Sequence, residues 1–106
     1  MFAPEDFLAL ARRLMGQDSG EAAFRTVISR AYYSAVLTTR QRLGAGGTSH
    51  KKLWIEVEKI SPALAEIGQR LREFRNAADY GDAIPDFADE AARCIRRATI
   101  MLARVK

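Results

Sequence analysis

Cysteine, histidine and proline are scarce in this sequence, and long uncharged runs are missing. There is one cysteine, Cys94, and one histidine, His50. A lone cysteine excludes a disulfide within the chain, and one Cys with one His argues against a four-ligand zinc site. No metal and no cofactor is expected. The longest uncharged runs are far too short to span a bilayer, so no membrane partner is expected. The segment Met1 to Asp6 carries acid where a secretory leader would carry base. The expected location is therefore the cytoplasm. Only three prolines and seven glycines occur, gathered at a few points. No stretch alternates with the two-residue period of a half-buried strand, and there are no internal repeats.

What remains is a helical composition. The chain has 106 residues, 48% hydrophobic and 28% charged. That makes one globular domain, 1–106, with a single core. Lys and Arg total 17 against 13 acids, a net charge of +4. Such a balance is compatible with nucleic acid without requiring it. Most of the bases are arginines, whose planar fork suits phosphate and carboxylate.

Four breaks divide the chain into five helical segments. Pro4 suits a first turn, and Glu5 and Asp6 suit the positive end of a helix dipole. Phe7, Leu8, Leu10, Ala11 and Leu14 then form an apolar stripe. Gly16 to Gly20 interrupts it, with Asp18 or Ser19 as the expected cap of the next helix. The second helix runs from about Glu21 to about Leu43, with Phe24, Val27, Ile28, Ala31, Tyr32, Ala35 and Val36 at helical spacing. Gly44 to Gly47 ends it. Thr48 or Ser49 can cap a short third helix bearing Leu53, Trp54, Val57 and Ile60. Ser61-Pro62 reads as a cap and first-turn proline for a fourth, with Leu64, Ile67, Leu71 and Phe74 inward. Ile84-Pro85 precedes the fifth, whose core face is Phe87, Ala88, Ala91, Cys94, Ile95, Ala98, Met101, Leu102 and Val105. The fold class is all-α: an up-and-down antiparallel bundle of about five helices.

Two polar motifs interrupt this pattern. One is Ser29-Arg30-Ala31-Tyr32-Tyr33-Ser34, the other Arg75-Asn76-Ala77-Ala78-Asp79-Tyr80-Gly81-Asp82. Arg75 and Asp79 stand one helical turn apart on one face. A structural reading pairs them along the helix and lets Tyr80 close a core edge or an interface. A functional reading has Arg75 bind phosphate while Asp79 orients it. Tyr32 is expected in the core, and Tyr33 with its hydroxyl near Asn76 or Asp79. Arg30 is expected to pair with Asp79 or Asp82. Arg70, Arg72 and Arg75 could follow a phosphate backbone, although a solvated face is the commoner meaning of such a run. His50, beside Lys51 and Lys52, could act as a general base, although a surface or capping role, with its charged form disfavoured, is the commoner reading. Trp54 and Cys94 read as core.

Together the motifs resemble the HEPN family (higher eukaryotes and prokaryotes nucleotide-binding domains). The closest pattern is the small prokaryotic subgroup with Arg-Ala-Tyr-Tyr and Arg-x-x-Ala-Asp-Tyr helices, here Arg30 to Tyr33 and Arg75 to Tyr80. The resemblance spans roughly Glu21 to Leu102. It implies a helical bundle, a homodimer and a toxin–antitoxin or defence-related pair, with RNA, a nucleotide or a nucleotidyltransferase as partner. It places a binding or interface site on Arg30, Tyr33, Arg75, Asn76, Asp79, Tyr80 and Asp82. A metal-independent ribonuclease is the alternative, with Arg75, Asp79 and Tyr80 as its candidate catalytic residues. A structural dimerisation adaptor is a third. Ribonuclease members carry a histidine shortly after the motif arginine, where this chain has Tyr80, Gly81 and Asp82. That departure removes the group best suited to move protons near neutral pH.

Overall fold

A computed structural model describes residues 3–17, 20–44 and 49–105. Five helices follow in order: α1 (Glu5–Gln17), α2 (Glu21–Leu43), α3 (His50–Ile60), α4 (Pro62–Tyr80) and α5 (Phe87–Val105). No strand occurs among the described residues, and the all-α bundle expected from the periodicity is what forms. The expected caps Asp18, Ser19 and Thr48 lie outside the described residues. Ser49 does cap α3, its hydroxyl accepting from the Lys52 amide at 3.3 Å.

Helix α2 is the axis of the bundle and packs against α1, α4 and α5. Its apolar stripe, Phe24, Val27, Ile28, Ala31, Tyr32, Ala35 and Val36, is buried. So are Ser29, Ser34, Thr38 and Thr39 on other faces. A helix surrounded by partners must bury polar positions too, and small hydroxyls do this at low cost by bonding their own backbone. Ser34 Oγ donates to the Ala31 carbonyl and Thr39 Oγ1 to the Ala35 carbonyl, both at 2.7 Å. The stripes of the shorter helices sit slightly differently from expectation. In α4 the buried residues are Ala65, Gly68, Leu71 and Ala78, while Leu64, Ile67 and Phe74 are half-buried. Ile60, expected inward on α3, is 70% exposed. It is the last residue of its helix.

The turn from α3 into α4 is made by one residue. Ser61 ends α3 by donating its amide to the Val57 carbonyl at 2.8 Å, and its hydroxyl accepts from the Leu64 amide to start α4. Pro62 follows at the first helical position, where its missing N–H costs nothing. Trp54 of α3 lies directly over Gly68 of α4, so closely that a Cβ at position 68 would overlap the indole. Glycine is required there for close approach rather than for a special backbone angle. At Gly81 the angle itself is required: φ is 78°, the left-handed value that ends α4. Arg25 of α2 then seals this end, donating to the Ala77 and Ala78 carbonyls at 2.9 and 3.1 Å and to the Asp82 carbonyl at 2.7 Å.

Candidate functional site

The two motifs meet where α2, α3 and α4 converge. Arg75 is the hub. Its Nη2 donates to the Tyr33 hydroxyl at 2.7 Å and its Nη1 to Asn76 Oδ1 at 2.7 Å. Its Nε stands 3.0 Å from Asp79 Oδ2. That carboxylate lies off the N–H direction, so Nε makes an ion pair without a directed hydrogen bond. The guanidinium carbon lies 5.3 Å from the Tyr33 ring centre and 5.6 Å from that of Tyr32. Such cation–π contacts stabilise by about 0.5–1 kcal/mol each at partly exposed sites. The Arg75 side chain is 18% exposed and Asp79 is 37% exposed. Burial opposes the arginine's charge, but the Tyr33 hydrogen bond and the Asp79 carboxylate are among the neighbours that outweigh it and raise the Arg75 pKa. Arg75 is therefore a fixed cation in a defined orientation.

His50 is the residue that sequence reasoning placed elsewhere. It opens α3, and its Nδ1 lies 2.9 Å from the Tyr32 hydroxyl. Its ring centre is 5.4 Å from that of Tyr32 and 6.2 Å from that of Tyr33. The Trp54 indole N–H donates to the same Tyr32 hydroxyl at 3.3 Å. An indole can only donate, so the Tyr32 oxygen accepts from Trp54; toward His50 Nδ1 the hydroxyl donates or accepts according to the imidazole tautomer. Burial lowers the His50 pKa, and the charges of Arg40, Arg75 and Arg72 lower it further. The expected direction is found, but these groups cause it rather than the adjacent lysines. Burial raises the Tyr32 pKa, against smaller opposing effects from Trp54, Arg72, Arg75 and Arg40.

The other candidates divide. Asn76 and Asp79 join Arg75 as expected, and Tyr33 meets the cluster through its hydroxyl. Arg30 forms no ion pair with Asp79 or Asp82. Its guanidinium lies over the Phe7 ring at 5.2 Å, and α4 is instead reached by Arg25. Arg30 and Asp79 do line one polar cleft of about 260 Å³ with Arg25, Thr26 and Ser29. Tyr80 is 77% exposed, so it closes no core edge within the chain. Asp82 contributes its backbone carbonyl to Arg25. Arg72 is half-buried, acts electrostatically on His50 and Tyr32, and has no hydrogen bond or ion pair among the described residues. Periodicity could not have found His50, because a helix-capping end belongs to no stripe. The sequence signals were its singularity and the likeness of the His50-Lys51-Lys52 helix start to the HEPN subgroup.

Among the described residues no group of His, Cys, Asp and Glu could hold a metal ion, and no helix is long and apolar enough to cross a membrane. What the site can do follows from charge: Arg75, oriented by its partners, and Arg72, without an ion pair among the described residues, both act on a half-buried imidazole, and Asp79 is the carboxylate at Arg75. Compared with protein-family models, with curated proteins and with solved structures, the chain matches none.

Proposed function

We propose that this protein is a HEPN-like helical module of a toxin–antitoxin or defence-related pair, and that its site binds the phosphate backbone of RNA. The observation that carries the reading is Arg75. Its guanidinium is held by Tyr33, Asn76 and Asp79, while Arg72, one turn earlier on α4, has no counter-ion among the described residues. A cation fixed in advance loses little side-chain freedom on meeting phosphate, and its fork presents paired donors. Tyr33 and the exposed edge of the cluster offer a surface on which a base can stack. The module works in the cytoplasm as a homodimer, which would present two copies of the site. A nucleotidyltransferase encoded beside it would be its protein partner.

The test is binding of a short 2′-O-methyl RNA followed by fluorescence anisotropy. Wild type should bind with an affinity that falls as salt rises. Arg75→Ala should weaken binding about tenfold or more. Arg72→Ala should flatten the salt dependence by about one phosphate contact. Equal binding by wild type and Arg75→Ala would remove the reading.

A second reading, metal-independent RNA cleavage, is favoured by His50 standing in the same cluster. With Nδ1 engaged by Tyr32, Nε2 is the imidazole nitrogen left for a substrate. In its protonated form the ring would give the Nε2 proton to the 5′ oxygen as the 2′ oxygen attacks phosphorus and return to neutral imidazole, and a different group would take the 2′-hydroxyl proton. Incubation of unmodified RNA in EDTA tests this. Cleavage lost in both His50→Gln and Arg75→Ala supports it, and no cleavage by wild type sinks it.

A further inference from the structure

The charge around His50 is one-sided. From α2 come Arg40 and the uncharged rings of Tyr32 and Tyr33. From α4 come Arg72 and Arg75. On α3 itself Lys51 and Lys52 follow and Trp54 stands behind Tyr32. The carboxylate of Asp79 is committed to Arg75. The imidazole is half-buried, so the ring keeps contact with solvent. An imidazole in that position responds to whatever neutralises the arginines.

We propose that His50 is the proton-accepting member of this site: a phosphodiester seated among Arg72, Arg75 and Tyr33 contacts the imidazole and draws a proton onto it. The proposal rests on the phosphate-binding reading above and adds the coupling. Its chemistry balances simply. A proton from solvent completes the imidazolium, and the Tyr32 oxygen then accepts from both Trp54 and Nδ1–H. Nothing else is made or broken. In the free protein, burial and three arginine charges hold the ring neutral. A bound anion cancels part of that field, and it gains a charged donor at Nε2.

The sign follows from linkage. The free protein's imidazole titrates below the ordinary 6.5, and the bound form titrates higher. Affinity therefore rises as pH falls through the interval between them, and is level on either side. A phosphodiester keeps its single charge throughout, so the ligand contributes no titration of its own. At a site built only of arginines and tyrosines, affinity would be flat between about pH 5.5 and 8, where histidine alone titrates.

His50 is the chain's single histidine, so one imidazole resonance reports it without assignment by mutation. The experiment is an NMR pH titration of that resonance, free and saturated with a short 2′-O-methyl RNA, beside anisotropy across the same range. We expect the His50 pKa to rise by about one unit on saturation, matched by roughly tenfold tighter binding at the acid end. His50→Gln should bind more weakly, with an affinity that no longer changes with pH. RNA binding that Arg75→Ala weakens, with the His50 titration unmoved, would overturn the coupling and leave the binding reading standing. No RNA binding at any pH would remove both.

Discussion

Arg97 and Arg75 each lie over an aromatic ring, 5.5 Å from the centre of Phe74 in one case and 5.3 Å from that of Tyr33 in the other. What lies buried beside them differs. Beside Arg97 it is a carboxylate: the Glu90 side chain is 7% exposed. Glu90 Oε1 accepts from Arg93 Nε at 3.1 Å, and Oε2 accepts from Arg97 Nη1 at 2.6 Å. The Cys94 thiol leans on the same Oε2 at 3.9 Å, and burial pushes its pKa up to about 12. Every group in that cluster has its complement, and the thiol is inert. Beside Arg75 the cation is the sheltered partner, its carboxylate is the exposed one, and two further arginines act on the same pocket of space. The same residue types thus make a closed network on α5 and an open one between α2, α3 and α4. Composition does not separate them; the sign of what is buried does.

The largest effect that would sharpen this contrast is on stability at the closed cluster. Glu90→Ala leaves two arginines facing each other across a buried gap, and should cost about 2–4 kcal/mol in urea unfolding. RNA binding by the folded variant should be untouched. A loss below about 1 kcal/mol would mean that the cluster is solvated after all. Next comes the floor of the open cluster. Gly68→Ala drives a methyl into the Trp54 ring, and overpacking of this kind costs about 1–3 kcal/mol. Trp54 also donates to Tyr32, so the His50 resonance should shift in the same variant. An unshifted resonance would uncouple the indole from the imidazole.

At Arg75 itself the balance reverses. Arg75→Ala removes a partly exposed ion pair, two side-chain hydrogen bonds and ring contacts, and should cost only about 0.5–1.5 kcal/mol of stability. Its effect on RNA binding should be tenfold or more. A stability loss as large as that of Glu90→Ala, with binding intact, would make the open cluster a structural network too.

The helices were legible because periodicity, caps and breaks agree. Ser61-Pro62 marked a joint of one residue, and Glu21 to Leu43 marked the long helix. The Arg75, Asn76 and Asp79 grouping was legible because those residues sit within one turn. His50 and Arg72 were not assigned to the cluster, because what brings them there is the angle between α3 and α4. That angle depends on a glycine under a tryptophan, which no spacing encodes. Glu90, near the start of α5, is buried against Arg93, Cys94 and Arg97, a burial that spacing alone does not reveal. Arg30 was misassigned for a related reason: Phe7 of α1 reaches it first, and Arg25, one turn earlier on α2, is the one in register with the end of α4.

The smallest effect concerns pH and isolates the imidazole from everything else. The folded chain holds the His50 pKa below 6.5, through burial and then through Arg40, Arg75 and Arg72. In the unfolded chain the ring titrates at its ordinary value. As pH falls through 6.5 the unfolded state takes up the proton first, so stability drops. The drop ends once the pH is below the folded pKa as well. His50 therefore contributes its full stability above 6.5 and loses it toward acid, the usual pattern for a histidine buried neutral. Carboxylates begin to titrate below about pH 5 and add their own loss. The difference between wild type and His50→Gln cancels that background. Urea midpoints measured between about pH 5 and 8 should fall toward acid more steeply for wild type than for the variant. Parallel profiles would mean that the arginine field does not reach the ring, and the open cluster would then lose the electrostatic feature that distinguishes it from the closed one.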